Sequence, residues 1–235
     1  MSPPARTFVL LPGAGGEAWY WHLVASRLRE RGHEVVSPDL PAGDDRAGLA
    51  EYAEAALDAS GGRPELVVVA QSMGAFVAPL LCDRGDVRRV ILVAPMIPAP
   101  GESPGEWWSG SGQLRAQRDQ DERDGRDPDA PFDVMTAFFH DVAKEIVDEA
   151  FARGEPRQSD TPFGEPWPLE RWPEVPTSVI AGAKDRLFPL EFMRGLARDR
   201  LGLEEVDPID SGHLPALARP DELAERLESH AAPRC

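Results

Sequence analysis

The stretch Leu66-Val67-Val68-Val69-Ala70-Gln71-Ser72-Met73-Gly74-Ala75-Phe76 decides the fold. Residues 66–70 are apolar without interruption, as in a strand covered on both faces, and the chain then passes through Ser72 into a helix expected over 75–84. Such an elbow brings strand and helix close together, so the residues two before and two after its apex must be small; Ala70 and Gly74 are. Ser72 is then held in strained backbone geometry with its hydroxyl at the carboxyl end of the sheet, near the positive end of the helix.

Working outward, short β-branched or apolar runs at 7–11, 34–37, 89–93, 177–181 and 204–206, each bounded by Gly, Pro or Asp, read as further strands. Helices are expected at 19–31, where Leu23, Val24 and Leu28 recur at helical spacing, and at 49–59, where Tyr52, Ala55 and Ala56 do. This alternation specifies an α/β fold: a mainly parallel sheet of about six strands, right-handed crossovers, and helices on both faces. It stops between 96 and 172, where Pro, Gly and dense charge take over and four tryptophans fall, Trp107, Trp108, Trp167 and Trp172. The expected organisation is a body of 1–95 and 173–235 interrupted by a helical lid, 96–172, whose aromatics cover a pocket. Within the lid, helices are expected at 132–139 and 143–152, the second capped by Asp141, and the charged run 115–124 reads as a solvated face without chemistry.

Composition narrows the partners. Among 235 residues, 25 basic side chains face 41 acidic ones, a net charge of −16. That charge repels phosphate backbones and anionic bilayers, so a small molecule is expected as partner, with neither nucleic acid nor a membrane. Cys82 and Cys235 alone cannot build a disulfide framework or a CxxC metal site, and no cofactor or metal is expected. Residues 1–6 run into a strand without a basic leader, and no apolar run approaches the ~20 residues of a membrane span, so a cytoplasmic location is expected.

A serine hydroxyl is a weak nucleophile that needs a base, usually histidine, which in turn needs a carboxylate to fix its tautomer. His22 on the first helix and His33 in a turn read as structural, and His230 lies at the end of the last helix. His213, in Asp210-Ser211-Gly212-His213, falls between the last strand and the last helix, at the same sheet edge as Ser72. Asp185 follows the strand at 177–181 through a glycine turn and reaches that edge too, while Asp39 and Asp141 remain rival carboxylates. The order Ser72, Asp185, His213 belongs to one triad-bearing arrangement. An oxyanion would be met by the Met73 amide and by one from Pro12-Gly13-Ala14-Gly15-Gly16, where Pro12 has no N–H and Ala14 is the candidate. No phosphate-binding pattern follows those glycines.

Taken together, the sequence resembles the α/β-hydrolase superfamily over nearly its whole length, and within it the compact branch of plant methylesterases and hydroxynitrile lyases. The markers are residues 8–16 with Trp19-Tyr20-Trp21, Gly32-His33-Glu34-Val35, Ala70-Gln71-Ser72-Met73-Gly74, Phe138-Phe139-His140-Asp141, residues 182–189, and Gly212-His213. The resemblance implies Ser72 as nucleophile, His213 as base, Asp185 as acid, and the Ala14 and Met73 amides as oxyanion hole. Two positions depart from the family pattern: Pro12 stands where a histidine is usual, and Ala70 replaces the first glycine of the elbow. The expected activity is hydrolysis of a carboxylic ester, lactone or thioester of a small molecule through an acyl-enzyme. The alternatives are a lyase in which Ser72 and His213 only shuttle protons, and a non-catalytic small-ligand receptor. Met96, Trp107, Trp108, Phe139, His140 and Trp167 are candidates to line the pocket, and the oligomeric state is left open.

Overall fold

The apolar runs form one sheet whose two faces carry separate cores. The computed structural model describes residues 5–232. Six strands, β1 (Thr7–Leu11), β2 (Glu34–Val36), β3 (Leu66–Gln71), β4 (Val87–Val93), β5 (Thr177–Gly182) and β6 (Asp207–Ile209), lie in the order β2-β1-β3-β4-β5-β6. Every neighbouring pair is parallel. Side chains alternate between the faces as the pleat requires. Val9, Leu11, Val68, Ala70, Val90 and Leu92 enter one cluster; Phe8, Leu10, Val67, Val69, Ile91 and Val93 enter the other.

Helices cover both faces. In chain order they are α1 (His22–Glu30), α2 (Leu49–Ser60), α3 (Gly74–Val77), α4 (Pro104–Gly110), α5 (Gln113–Arg123), α6 (Lys144–Ala152), α7 (Thr161–Gly164), α8 (Leu190–Leu201), α9 (Pro215–Ala218) and α10 (Pro220–Ala231). The first cluster holds buried residues of α2, α3 and α8, and the second those of α1, α9 and α10. Because the chain goes from β1 outward to β2 and returns to place β3 on the other side of β1, strand order reverses between β1 and β3. The loops leaving their carboxyl ends therefore splay apart and open a crevice. No helix among the described residues is long and apolar enough to cross a membrane.

The segment between β4 and β5 contributes α4 to α7 and no strand. Its Trp107 and Trp167 are buried in the first cluster beside Ala70 and Leu92, with indole N–H groups donated to the carbonyls of Ile97 (3.0 Å) and Phe76 (3.1 Å). Arg200 of α8 holds the base of the segment, pairing with Glu102 and donating to the Ile97 carbonyl.

Four expectations change. The last strand is Asp207–Ile209 and not 204–206, pairing Ala181 with Pro208; proline is tolerated there because β6 is an edge strand with one side unpaired. The helix after Ser72 is a single α-turn followed by a 3₁₀ turn (Ala78–Leu81), because Pro79 has no N–H to continue the α-ladder. In the region expected as helix 132–139, Met135–Phe139 form a π-helical turn. Asp141 does not cap α6, whose N-cap is Ala143; its carboxylate is engaged elsewhere, as described below.

Trp107 also packs its ring against Trp108, Phe188 and Phe192 at centroid distances of 5.1–5.9 Å. Trp107→Ala is expected to lower the unfolding free energy by about 3–5 kcal/mol, read as a reduced midpoint in urea.

Candidate active site

Ser72 follows the last residue of the central strand β3 and has φ +50°, a left-handed conformation that a residue with a side chain adopts only under constraint. The constraint is visible on both sides of the residue. Its N–H donates to the Val93 carbonyl at the end of β4 (3.1 Å), and its carbonyl accepts from Met96 (3.0 Å) and Ala75 (3.1 Å). Gly74 lets the turn close: a Cβ there would stand 2.7 Å from the Pro12 carbonyl oxygen. Gly13 is similarly confined, since its Cβ would strike the Gln71 side chain and approach Ser72 Cβ at 3.0 Å. The loop after β1 is thus seated on the elbow.

Amides near Ser72 differ in what they have left to donate. Gly15 N–H goes to Gln158 Oε1 (2.8 Å) and Gly16 N–H to the Gly13 carbonyl (3.1 Å). Among the described residues those of Ala14 and Met73 have no hydrogen-bonded acceptor, and Ala14 is solvent-exposed.

The other two expected residues meet at the same edge. Asp185 and His213 are each 1% exposed, and His213 Nδ1 lies 2.8 Å from Asp185 Oδ2. The second carboxylate oxygen, Oδ1, accepts from the amides of Leu187 (2.8 Å) and Phe188 (2.9 Å), which orients the group without a side-chain partner. Gly182 makes the meeting possible, because a side chain at the end of β5 would run into the carbonyls of Ser211 and Gly212. Lys184 N–H then donates to the Ser211 carbonyl (2.9 Å), so the two loops are laced together. On the Ser72 side, Gln71 Nε2 reaches the His213 carbonyl at 3.4 Å. No hydrogen bond joins Ser72 Oγ to His213 Nε2 among the described residues, and such bonds commonly tighten only when substrate arrives.

The rival groups are occupied. Exposed Asp39 accepts from Ala18 N–H (2.8 Å), His33 pairs with Glu228 (2.8 Å), His22 with the Trp19 carbonyl (2.7 Å), and His230 with Asp207 (2.9 Å). Asp141 accepts from Gly212 N–H at 2.7 Å, one residue before His213. No cluster of three or more His, Cys, Asp or Glu able to hold a metal occurs among the described residues.

The six pocket candidates separate. Trp107 and Trp108 touch Phe188 (5.1 and 5.6 Å), whose ring meets the His213 imidazole edge to face at 4.7 Å. Met96 is buried beside the elbow and donates its amide to Ser72. Phe139 packs on Phe151 (5.6 Å), while Trp167 stacks on Trp172 (6.0 Å) within the core beneath α3. The buried Nε2 of His140 has no hydrogen-bond partner. Two rings that sequence reading missed, Phe188 and Phe138, flank His213 directly, Phe138 at 5.4 Å. Phe188 is three residues after Asp185, a spacing that could have drawn attention; Phe138 is turned inward by the π-turn, for which sequence carries no signal. The charged helix α5 was also underread: its Gln113 and Gln120 donate to the carbonyls of Leu187 (2.6 Å) and Asp185 (3.1 Å). A surface hollow of about 800 Å³, lined by Thr177, Arg194, Glu204, Asp207 and His230 among others, opens at the amino ends of β5 and β6 and includes neither Ser72, Asp185 and His213 nor any of the six pocket candidates.

A model of the alpha/beta hydrolase family matches residues 8–226, and the chain belongs to that family. Among its relatives, Methylesterase 7 of Arabidopsis thaliana is 24% identical over 94% of this chain and 95% of its own length. Among solved structures, an extracellular alpha/beta-hydrolase from a Paenibacillus species aligns with a TM-score of 0.76 at 19% identity, covering 97% of this chain and 100% of that one. Polyneuridine aldehyde esterase aligns with a TM-score of 0.74, also at 19% identity and with the same coverage.

Two expectations follow from the geometry. Gly74→Ala drives a methyl into the Pro12 carbonyl and is expected to cost about 1–3 kcal/mol of stability, measured by urea unfolding. Burial, reinforced by nearby Arg186 and opposed by Asp141 and Asp185, holds the His140 imidazole below its ordinary value. The unfolded chain therefore takes up a proton on acidification that the native state refuses, and native stability falls as pH drops through about 6.5. In His140→Gln that fall should be shallower, which unfolding curves collected between about pH 7.5 and 5 would reveal.

Proposed function

We propose that this chain is a serine esterase acting on a small apolar carboxylic ester. The observation that supports the reading is the left-handed Ser72 at the carboxyl end of β3, next to Gln71, whose side chain reaches the His213 carbonyl of a buried Asp185–His213 pair of 2.8 Å; the Ala14 and Met73 amides have hydrogen bonds left to give. In this reading His213 Nε2 takes the hydroxyl proton as Ser72 Oγ attacks the ester carbonyl carbon. Asp185, fixed by the Leu187 and Phe188 amides, holds the Nδ1–H tautomer and stabilises the imidazolium. The oxyanion is met by the Ala14 and Met73 N–H groups. His213 returns the proton to the leaving alkoxide, and water, activated by the same imidazole, releases the acyl group.

Segment 96–172 acts as a cap in this account. Phe132, 64% exposed, touches Phe138 at 6.0 Å, and Phe138 touches His213, so aromatic faces run from solvent to the base. Leu114, Val134, Met135 and Phe151 are also exposed on this segment, a surface suited to an apolar substrate. Ester hydrolysis is further supported by the esterase and methylesterase names among the relatives.

Ser72→Ala is expected to cut turnover of p-nitrophenyl acetate by about 10³-fold or more while the melting temperature is retained. A phosphonate probe should label Ser72 in the native protein, and stopped-flow should show an acyl burst. Undiminished turnover in the alanine variant would discard the nucleophile; a parent that leaves the ester intact but eliminates cyanide from a cyanohydrin in a Ser72-dependent way would favour the proton-shuttling lyase.

A further inference from the structure

The cap touches three of the loops around the site through polar side chains: Gln120 at the Asp185 carbonyl, Gln158 at the Gly15 amide, and Asp141 at the Gly212 amide. One of these contacts has unused capacity. Asp141 Oδ2 accepts from Gly212 N–H, but its buried Oδ1 and the buried Nε2 of neighbouring His140 have no hydrogen-bond partner. Both orphaned atoms converge on one point of the base loop: a Cβ on Gly212 would stand 2.7 Å from His140 Nε2 and 2.8 Å from Asp141 Oδ1. His140 also lies against the Lys184 carbonyl, so the pair bridges the loops bearing Asp185 and His213. The charged groups facing it are Asp141, Asp185 and Arg186.

A carboxylate oxygen buried without a partner, as Oδ1 of half-buried Asp141 is, is costly, and a clamp on Gly212 alone would need no charge. An amide side chain could accept the same hydrogen bond. What a carboxylate adds is a fixed negative charge beside the loop that must carry an imidazolium in the transition state. We propose that His140 and Asp141 are a positioning pair for the reaction of the preceding section: they grip the loop through Gly212, hold His213 toward Ser72, and favour the imidazolium formed when the serine proton moves to Nε2. Neither residue gains or loses a proton in the cycle. Gly212 must be glycine for the pair to reach the loop.

The inference rests on the esterase reading, so its test includes a signal that needs no turnover. Asp141→Ala, Asp141→Asn and Gly212→Ala would be compared with the full-length parent, using p-nitrophenyl acetate across pH and the downfield proton NMR signal of the His213 Nδ1–H···Asp185 hydrogen bond. Asp141→Ala is expected to lower kcat about tenfold or more with KM changed less than about threefold. Asp141→Asn keeps an acceptor for Gly212 and should recover kcat to within about threefold, yet its acidic limb should move to lower pH because the charge is gone. In Gly212→Ala, which leaves both side chains intact and covers the case in which Asp141→Ala fails to fold, kcat should fall similarly and the NMR signal should shift or broaden. The proposal is overturned if folded Asp141→Ala or Gly212→Ala keeps kcat within twofold of the parent, or if Asn is no better than Ala and leaves the acidic limb in place. Should the parent itself fail to hydrolyse esters, the esterase reading falls and the NMR signal decides: displaced in Asp141→Ala and Gly212→Ala it upholds the grip on His213, unmoved it ends the proposal.

Discussion

The backbone of Ser72 is the constraint on which the rest of the site depends. A left-handed conformation at a non-glycine residue costs on the order of 1–3 kcal/mol, and nothing local to Gln71-Ser72-Met73 compensates it. Compensation comes from β4, whose Val93 carbonyl and following Met96 amide hold Ser72 by both its backbone polar groups. The elbow therefore exists because β3 is a central strand with β4 beside it. Gly74 then allows the loop after β1 to settle on the same turn, with the Pro12 carbonyl against it.

Labour is divided between the two parts of the chain. The sheet and its helices bring Ser72, Asp185 and His213 to a common edge through short loops, and the segment between β4 and β5 steadies those loops by their backbones. Gln113 and Gln120 hold the Asp185 loop, Asp141 the Gly212 amide, and Gln158 the Gly15 amide, while Gln158 also reaches Tyr52 (3.1 Å). Loops carry little internal packing and would otherwise be the most mobile elements of the fold. Phe188 and Phe138 complete the enclosure by covering the imidazole with apolar rings, which strengthens the Asp185–His213 hydrogen bond by excluding water.

Much of this was legible in advance where the code is local. Strands β1, β3 and β5 were recognisable because they are buried on both faces and so nearly continuous in apolar residues. Proline misled twice, in opposite senses: Pro208 is admitted to β6 by the free edge of the sheet, and Pro79 shortens a helix that periodicity alone would extend. The run 115–124 looked like inert solvated charge because the side chain in it that reaches the Asp185 loop is a glutamine, Gln120, a neutral residue that no spacing rule distinguishes, and Gln113, just before the run, is another.

By itself the sequence determined the alternation of strands and helices, the elbow around Ser72, and the chain order that carries Ser72, Asp185 and His213 to one edge. These follow from hydrophobic period and from the small residues that tight turns demand, both of which operate over a few neighbouring positions. Only the tertiary structure decided which rings face His213, which amides stay free to donate, and that Asp141 serves Gly212 rather than α6. Those outcomes depend on contacts between segments distant in sequence, and a hydrogen bond from residue 141 to residue 212 leaves no trace in the spacing of either.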